Sequence, residues 1–146
     1  MTRRSLILSG AFVFVIVAAI ATPLGLRIWQ LISYSRQQRI GAELLGSLRE
    51  QRPEGVSPTT WDHATGWAIT AYHNVCFSEG HVTFDELVRF NHDTKLKLTE
   101  NVDLQTIDWV WERLAKTGPH GQKYFDKFGP EYRSLVYGTS SDNATD

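Results

Sequence analysis

A chain of 146 residues with a formal net charge of −1 is sized for one small domain, and its single cysteine, Cys76, excludes an intramolecular disulfide, a CxxC redox pair and a multi-cysteine zinc site. The near-neutral total hides two unlike parts: residues 1–52 carry seven arginines against two glutamates, a net of +5, whereas residues 53–146 carry eight Lys/Arg against fourteen Asp/Glu, a net of −6. Phosphate backbones are held by Lys and Arg, so the acidic part is excluded as a nucleic-acid-binding surface.

The first element is apolar. Leu6 to Leu26 is a run of 21 residues without a charge, preceded by Arg3 and Arg4 and followed by Arg27. At about 1.5 Å per residue it spans roughly 30 Å, the thickness of a bilayer's hydrocarbon core, and predicts a transmembrane anchor over residues 1–26. Trp29 and Tyr34 follow where interfacial aromatics hold such a helix. The competing expectation is a cleaved secretory signal, with a basic start and Ala19-Ile20-Ala21 as the cleavage site. The length of the run and its extension through Thr22-Pro23-Leu24 favour the uncleaved single-pass anchor. The positive charges flanking the run are nearly balanced, and its signal-like order places the N-terminus in the cytoplasm and the acidic domain across the membrane.

Residues 27–52 read as a basic amphipathic stalk helix, with Ile28, Leu31, Ile32, Leu44, Leu45 and Leu48 at helical spacing. Its stripe faces the domain or the headgroups, or pairs with a second copy as a homo-oligomer. Gly41 and Gly46 each weaken it by up to about 1 kcal/mol relative to alanine. Pro53 to Ser57 form a linker, and Ser57-Pro58 is a helix cap and first-turn pair.

The acidic domain, residues 58–137, is expected to be all-α with three or four short helices. The first runs to about Phe77 with Trp61, Ala64, Thr65, Ala68, Ile69, Tyr72, Val75 and Cys76 inward. The second spans Phe84 to about Leu98, with Phe84, Leu87, Val88 and Leu98 inward. The third follows Asp103, with Leu104, Ile107, Trp111 and Leu114 inward, and ends at Gly118-Pro119. A short fourth follows Gly129-Pro130. The tail, 138–146, has nothing large enough to pack and is expected to be disordered. Its Asn143-Ala144-Thr145 is a glycosylation sequon in a eukaryotic luminal setting only.

Four features invite chemistry. Gly80 to Glu86 resembles the second half of an EF-hand loop, with Val82 and Thr83 in suitable places, but the early ligand positions hold Val75 and Phe77 and only Glu79 could add a carboxylate. Calcium needs six to eight oxygens. Thr83 and Glu86 instead predict a capping box. His73 and Cys76, three apart on one helix, have the spacing of an imidazole–thiol pair, although the stripe makes Cys76 a buried hydrophobe. His63, His73, His81, His92 and His120 contain no HxxxH spacing; His92-Asp93 and His81 could meet only through folding. Trp111 joins the core while Trp109 points away, to be covered by the folded-back segment Tyr124, Phe125, Phe128 and Tyr132 or left as an anchor for a partner.

The resulting expectation is a membrane-anchored helical interaction or scaffold module. It contacts lipid through residues 6–26 and the basic stalk, has a protein partner, and has no assigned cofactor, metal or catalytic residue. The alternative is a subunit of a metal- or thiol-dependent enzyme that uses His73, Cys76 or scattered histidines.

Overall fold

The structure is a computed structural model that describes the backbone of residues 3–78 and 82–138, with side chains from Thr22 to Phe77 and from Val82 to Gly138. Among the described residues every regular element is helical: α1 (Arg3–Glu50), α2 (Pro58–His73), a π-helical turn (Asn74–Ser78), α3 (Phe84–Lys97), α4 (Leu104–Ala115) and α5 (Gly121–Tyr137). The chain divides into two compact units, Met1–Ser35 and Arg36–Asp146. No helix among the described residues is long and apolar enough to cross a membrane. The side chains of Leu6–Ala21, most of the charge-free run, lie outside them, as does the tail from Thr139 onward.

In the first unit α1 carries Pro23 in its interior. Leu24, Leu26, Ile28, Trp29, Leu31 and Ile32 are all exposed on it.

The second unit opens with the last turns of the same helix. Residues 36–50, expected as stalk, form one wall of the domain: Leu45 and Leu48 are fully buried. Three donors from the domain reach the α1 backbone. Tyr72 Oη donates to the carbonyl of Gln38 at 2.8 Å, Asn91 Nδ2 to that of Gln37 at 2.8 Å, and Trp61 Nε1 to that of Arg49 at 2.9 Å. The Arg49 carbonyl lies in the last turn of α1, where no intrahelical donor remains, so Trp61 satisfies a group the helix leaves open. In the reverse direction, Gln38 Nε2 donates to the Cys76 carbonyl in the π turn at 2.7 Å.

Gly41 permits this approach. A Cβ there would lie 2.1 Å from Tyr72 Oη and 2.8 Å from Asn91 Oδ1. Tyr72 cannot retreat, because it is fully buried and its ring stacks on Phe90 with centroids 5.6 Å apart. Gly46, by contrast, has nothing within 4 Å of its Cβ position.

Helix α2 is central, packing against α4 and α5, while α3 packs on α4. It begins as the sequence predicts, with Ser57 Oγ accepting from Thr60 N–H at 3.1 Å and Pro58 in the first turn. Its buried residues are Trp61, Ala64, Thr65, Ala68, Ala71 and Tyr72, while Ile69 is half-buried. The α-helix stops at His73, four residues before the expected Phe77, and a wider π turn carries Val75 and Cys76 on into the core. In α3 the inward face is Leu87, Phe90, Asn91 and Thr94; Phe84 and Val88, expected inside, are exposed. Asn91 selects this face, because its side chain must reach the α1 backbone. Asp103 caps α4, with its carboxylate accepting from Thr106 N–H at 2.9 Å.

Helix α5 differs most from expectation. It starts at Gly121, nine residues before Pro130, and runs through that proline. A proline inside a helix removes one backbone hydrogen bond. Tyr124, Tyr132 and Val136 are nevertheless buried along one face with Gly129, where an added Cβ would lie 3.7 Å from the Phe125 ring. Burial of two tyrosines and a valine, about 1.5–3 kcal/mol for each large apolar side chain, outweighs one missing bond.

Gly41→Ala is expected to destabilise the protein by about 1–3 kcal/mol through overpacking, against a gain in helix propensity of about 1 kcal/mol. Gly46→Ala should stabilise it by up to about 1 kcal/mol. Denaturation of the detergent-solubilised full chain, followed by tryptophan fluorescence, measures both, and equal shifts of the same sign would contradict the close approach at Gly41.

Candidate functional site

The described part of the Gly80–Glu86 segment, Val82 to Glu86, is a helix start. Thr83 N–H donates to Glu86 Oε2 at 2.8 Å, and Glu86 N–H donates to Thr83 Oγ1 at 3.3 Å, the two reciprocal bonds of a capping box. Glu86 is thereby committed to the positive end of the α3 dipole. Val82 is buried; Glu79, Gly80 and His81 lie outside the described residues.

Cys76 is buried and His73 exposed, and no hydrogen bond joins them among the described residues. Cys76 is 1% exposed, and burial pushes its thiol up to about 12, so the nucleophilic thiolate is suppressed at neutral pH. His73 is exposed, with its ring 5.0 Å from that of Phe77.

Among the described histidines, His63 and His92 are exposed and His120 sits at the start of α5. Among the described residues no three His, Cys, Asp or Glu side chains gather to hold a metal. His92 does meet its neighbour: its Nδ1 lies 3.2 Å from Asp93 Oδ1. The other oxygen of Asp93 accepts from Arg113 of α4. The His92 hydrogen bond first, and the Arg113 charge after it, hold the Asp93 carboxyl below the usual carboxylate range.

The aromatic segment of α5 folds back, but onto Trp111 and Trp67. The Trp111 ring stacks on Tyr124 at 6.0 Å, meets Phe125 edge-on at 5.7 Å, and lies 5.2 Å from Tyr132 and 6.2 Å from Trp67. Phe128 closes the cluster 4.6 Å from Tyr124. Trp109 is half-buried. Starting α5 at Gly121 puts Tyr124, Phe128 and Tyr132 at successive four-residue steps, which directs them to one face and so to one target. Asp108 then fastens the end of α5, with Tyr132 donating to Oδ1 at 2.7 Å and Tyr137 to Oδ2 at 2.6 Å. Burial, and then the Asp108 carboxylate, hold both phenols protonated well above their ordinary range. This is a structural clasp with no free nucleophile.

A cavity of about 120 Å³ between α3 and α4 is lined by Glu86, Arg89, Phe90, Arg113, Lys116 and Thr117. Phe90, 1% exposed, forms its apolar floor. Thr117 closes the end of α4: its Oγ1 donates to the Arg113 carbonyl at 2.7 Å and its N–H to that of Leu114 at 3.1 Å. These residues escape sequence reasoning because the two groups lie 23 to 31 positions apart, on α3 and at the end of α4, in an acidic domain. The one available signal is the helical spacing of Glu86, Arg89 and Phe90, which is common on solvated helix faces.

Compared with known protein families, with curated proteins and with solved structures, the chain matches none of them.

Two outcomes follow. Thr83→Ala should lower stability by about 0.5–2 kcal/mol, the ordinary cost of a lost threonine cap, with melting unaffected by calcium or chelator; calcium-dependent melting abolished by Glu86→Gln would contradict the capping role. Cys76 should react with maleimide only slowly in the folded protein and rapidly in denaturant, as read by intact mass; fast native labelling would contradict its burial.

Proposed function

We propose that this protein is a membrane-anchored helical interaction module, held in the bilayer by the N-terminal part of α1 and offering the compact unit Arg36–Asp146 to a protein partner. The observation that carries the reading is the exposed apolar collar of α1. Leu24 and Leu26 are each 58% exposed, Trp29 63%, Leu31 68% and Ile32 64%. At about 100° per residue these groups, with Ile28, spread over more than half the helix circumference, which is the pattern of a helix solvated by lipid rather than packed on one side. Transfer of each large side chain out of water is worth about 1.5–3 kcal/mol, and the charge-free run Leu6–Leu26 continues the same apolar surface. Pro23 is tolerated in such a setting. Arg27, Arg36 and Arg39 lie at the end of the run, where cations meet anionic headgroups.

The partner role draws support from the apolar groups the compact unit leaves outside, Phe77, Leu96, Leu135 and Tyr137, of which the two aromatics are of a kind enriched at protein contacts. The thiol alternative is disfavoured by the buried, protonated Cys76.

Alkaline carbonate extraction and intact-mass measurement test the anchor. The protein should stay in the membrane pellet with its N-terminus retained, and a reporter fused after Asp146 should be active only outside the cytoplasm. A soluble species beginning at Thr22 would establish the cleaved signal instead, and cytoplasmic reporter activity would reverse the orientation.

A further inference from the structure

The cavity between α3 and α4 runs against the charge of its surroundings. Residues 53–146 have eight Lys/Arg against fourteen Asp/Glu, yet three of those cations, Arg89, Arg113 and Lys116, line one cavity with a single carboxylate, Glu86. One oxygen of that carboxylate, Oε2, accepts both the Thr83 N–H and the Thr83 Oγ1 hydroxyl, each at 2.8 Å, which ties it to the start of α3 while it keeps its charge. Arg113 is partly neutralised by Asp93. Arg89 and Lys116 make no ion pair among the described residues; Arg89 Nε donates to the backbone carbonyl of Asp85 at 3.4 Å, which leaves its charge uncompensated.

Two unneutralised cations facing one small space repel each other unless an anion sits between them. The α4 carbonyls that would oppose an anion there are already bonded: that of Arg113 accepts from Lys116 N–H and Thr117 Oγ1, and that of Leu114 from Thr117 N–H. We infer that this cavity is a binding site for a phosphate group. A lone carboxylate is best matched by one arginine fork, whereas here the cations come from separate walls and one nitrogen of Arg113 already donates to Asp93. What remains is Arg89 from α3, Lys116 at the C-cap of α4 and the rest of the Arg113 guanidinium, donors from separate walls. They suit a tetrahedral group with several oxygens and up to two charges. The Phe90 floor limits how deep the group sits and leaves room for an ester substituent toward solvent. The source is either a phospholipid headgroup or a soluble phosphate, and both present the same chemistry to the cavity. This inference rests on the compact unit alone and stands whether or not α1 is a membrane anchor.

The test is calorimetric titration of the detergent-solubilised full chain, at constant ionic strength, with inorganic phosphate and separately with monomeric dihexanoyl phosphatidic acid. One-to-one binding is expected, weakened about tenfold by Arg89→Gln and by Lys116→Gln, the effect of one lost charge-assisted hydrogen bond. Both residues are exposed, so the variants should keep the wild-type circular dichroism. Lys95→Gln, an exposed charge on the same helix outside the cavity, should leave the affinity unchanged. Equal affinity for the two ligands assigns the site to soluble phosphates, and a preference of tenfold or more for the lipid analogue assigns it to a headgroup. No binding of either ligand, an equal loss in Lys95→Gln, or binding of hexaglutamate at least as tight as that of phosphate would overturn the inference.

Discussion

The compact unit depends on a missing side chain. Gly41 leaves the backbone of α1 open at the carbonyls of Gln37 and Gln38, and Tyr72 and Asn91 donate into that opening. Mid-helix carbonyls already accept one intrahelical bond, so these donors use the second lone pair and need close approach. Burying a phenol and an amide is costly unless they are bonded. The two contacts therefore fix the helices as well as joining them: α2 must present Tyr72, and α3 must present Asn91, toward the same turn of α1. Phe84 and Val88 end up outside because that rotation of α3 leaves them no core to enter.

A second constraint acts at the opposite face of α2. The ring cluster of Trp67, Trp111, Tyr124, Phe125, Phe128 and Tyr132 supplies a large buried area to a domain whose helices are only 12 to 17 residues long. Large rings suit so small a core, since each removes much surface from water for little loss of side-chain freedom. The Asp108 clasp holds the last turns of α5 in register with α4. Together they keep α5 helical through Pro130, a residue that in isolation ends helices.

Net charge describes this domain poorly at short range. An excess of carboxylates keeps polyanions such as nucleic acid away over distances of several ångströms to a Debye length. Inside the α3–α4 cavity the local sum is set by which few groups face it and which of their charges are already paired. The capping box ties one oxygen of Glu86 to the start of α3, Asp93 engages Arg113, and three cations line the cavity against that one carboxylate. What faces solvent there is basic.

By itself the sequence determined the local features, because these are decided within a few residues. The Ser57-Pro58 start, the Thr83–Glu86 box, the Asp103 cap, the stripe from Trp61 to Tyr72 and the burial of Cys76 and Trp111 all follow from spacing and side-chain chemistry. The all-α class follows in the same way, and so does the split between an apolar, basic N-terminal part and an acidic domain. Only the tertiary structure decided what depends on distant partners. Gly41 reads in the sequence as a weak point in a helix, and its value appears only once Tyr72, 31 residues away, lies against it. The start of α5 at Gly121 could not be read past Gly129-Pro130, because the rings that reward the longer helix sit on α2 and α4. Of the alternatives for the stripe of residues 27–52, Leu45 and Leu48 pack into the domain because later helices supply their core. Arg89 and Lys116 read as ordinary surface charges until two helices bring them to one cavity. Propensity and periodicity are short-range quantities, and the close approach of backbones, the pairing of buried polar groups and the convergence of charge are not.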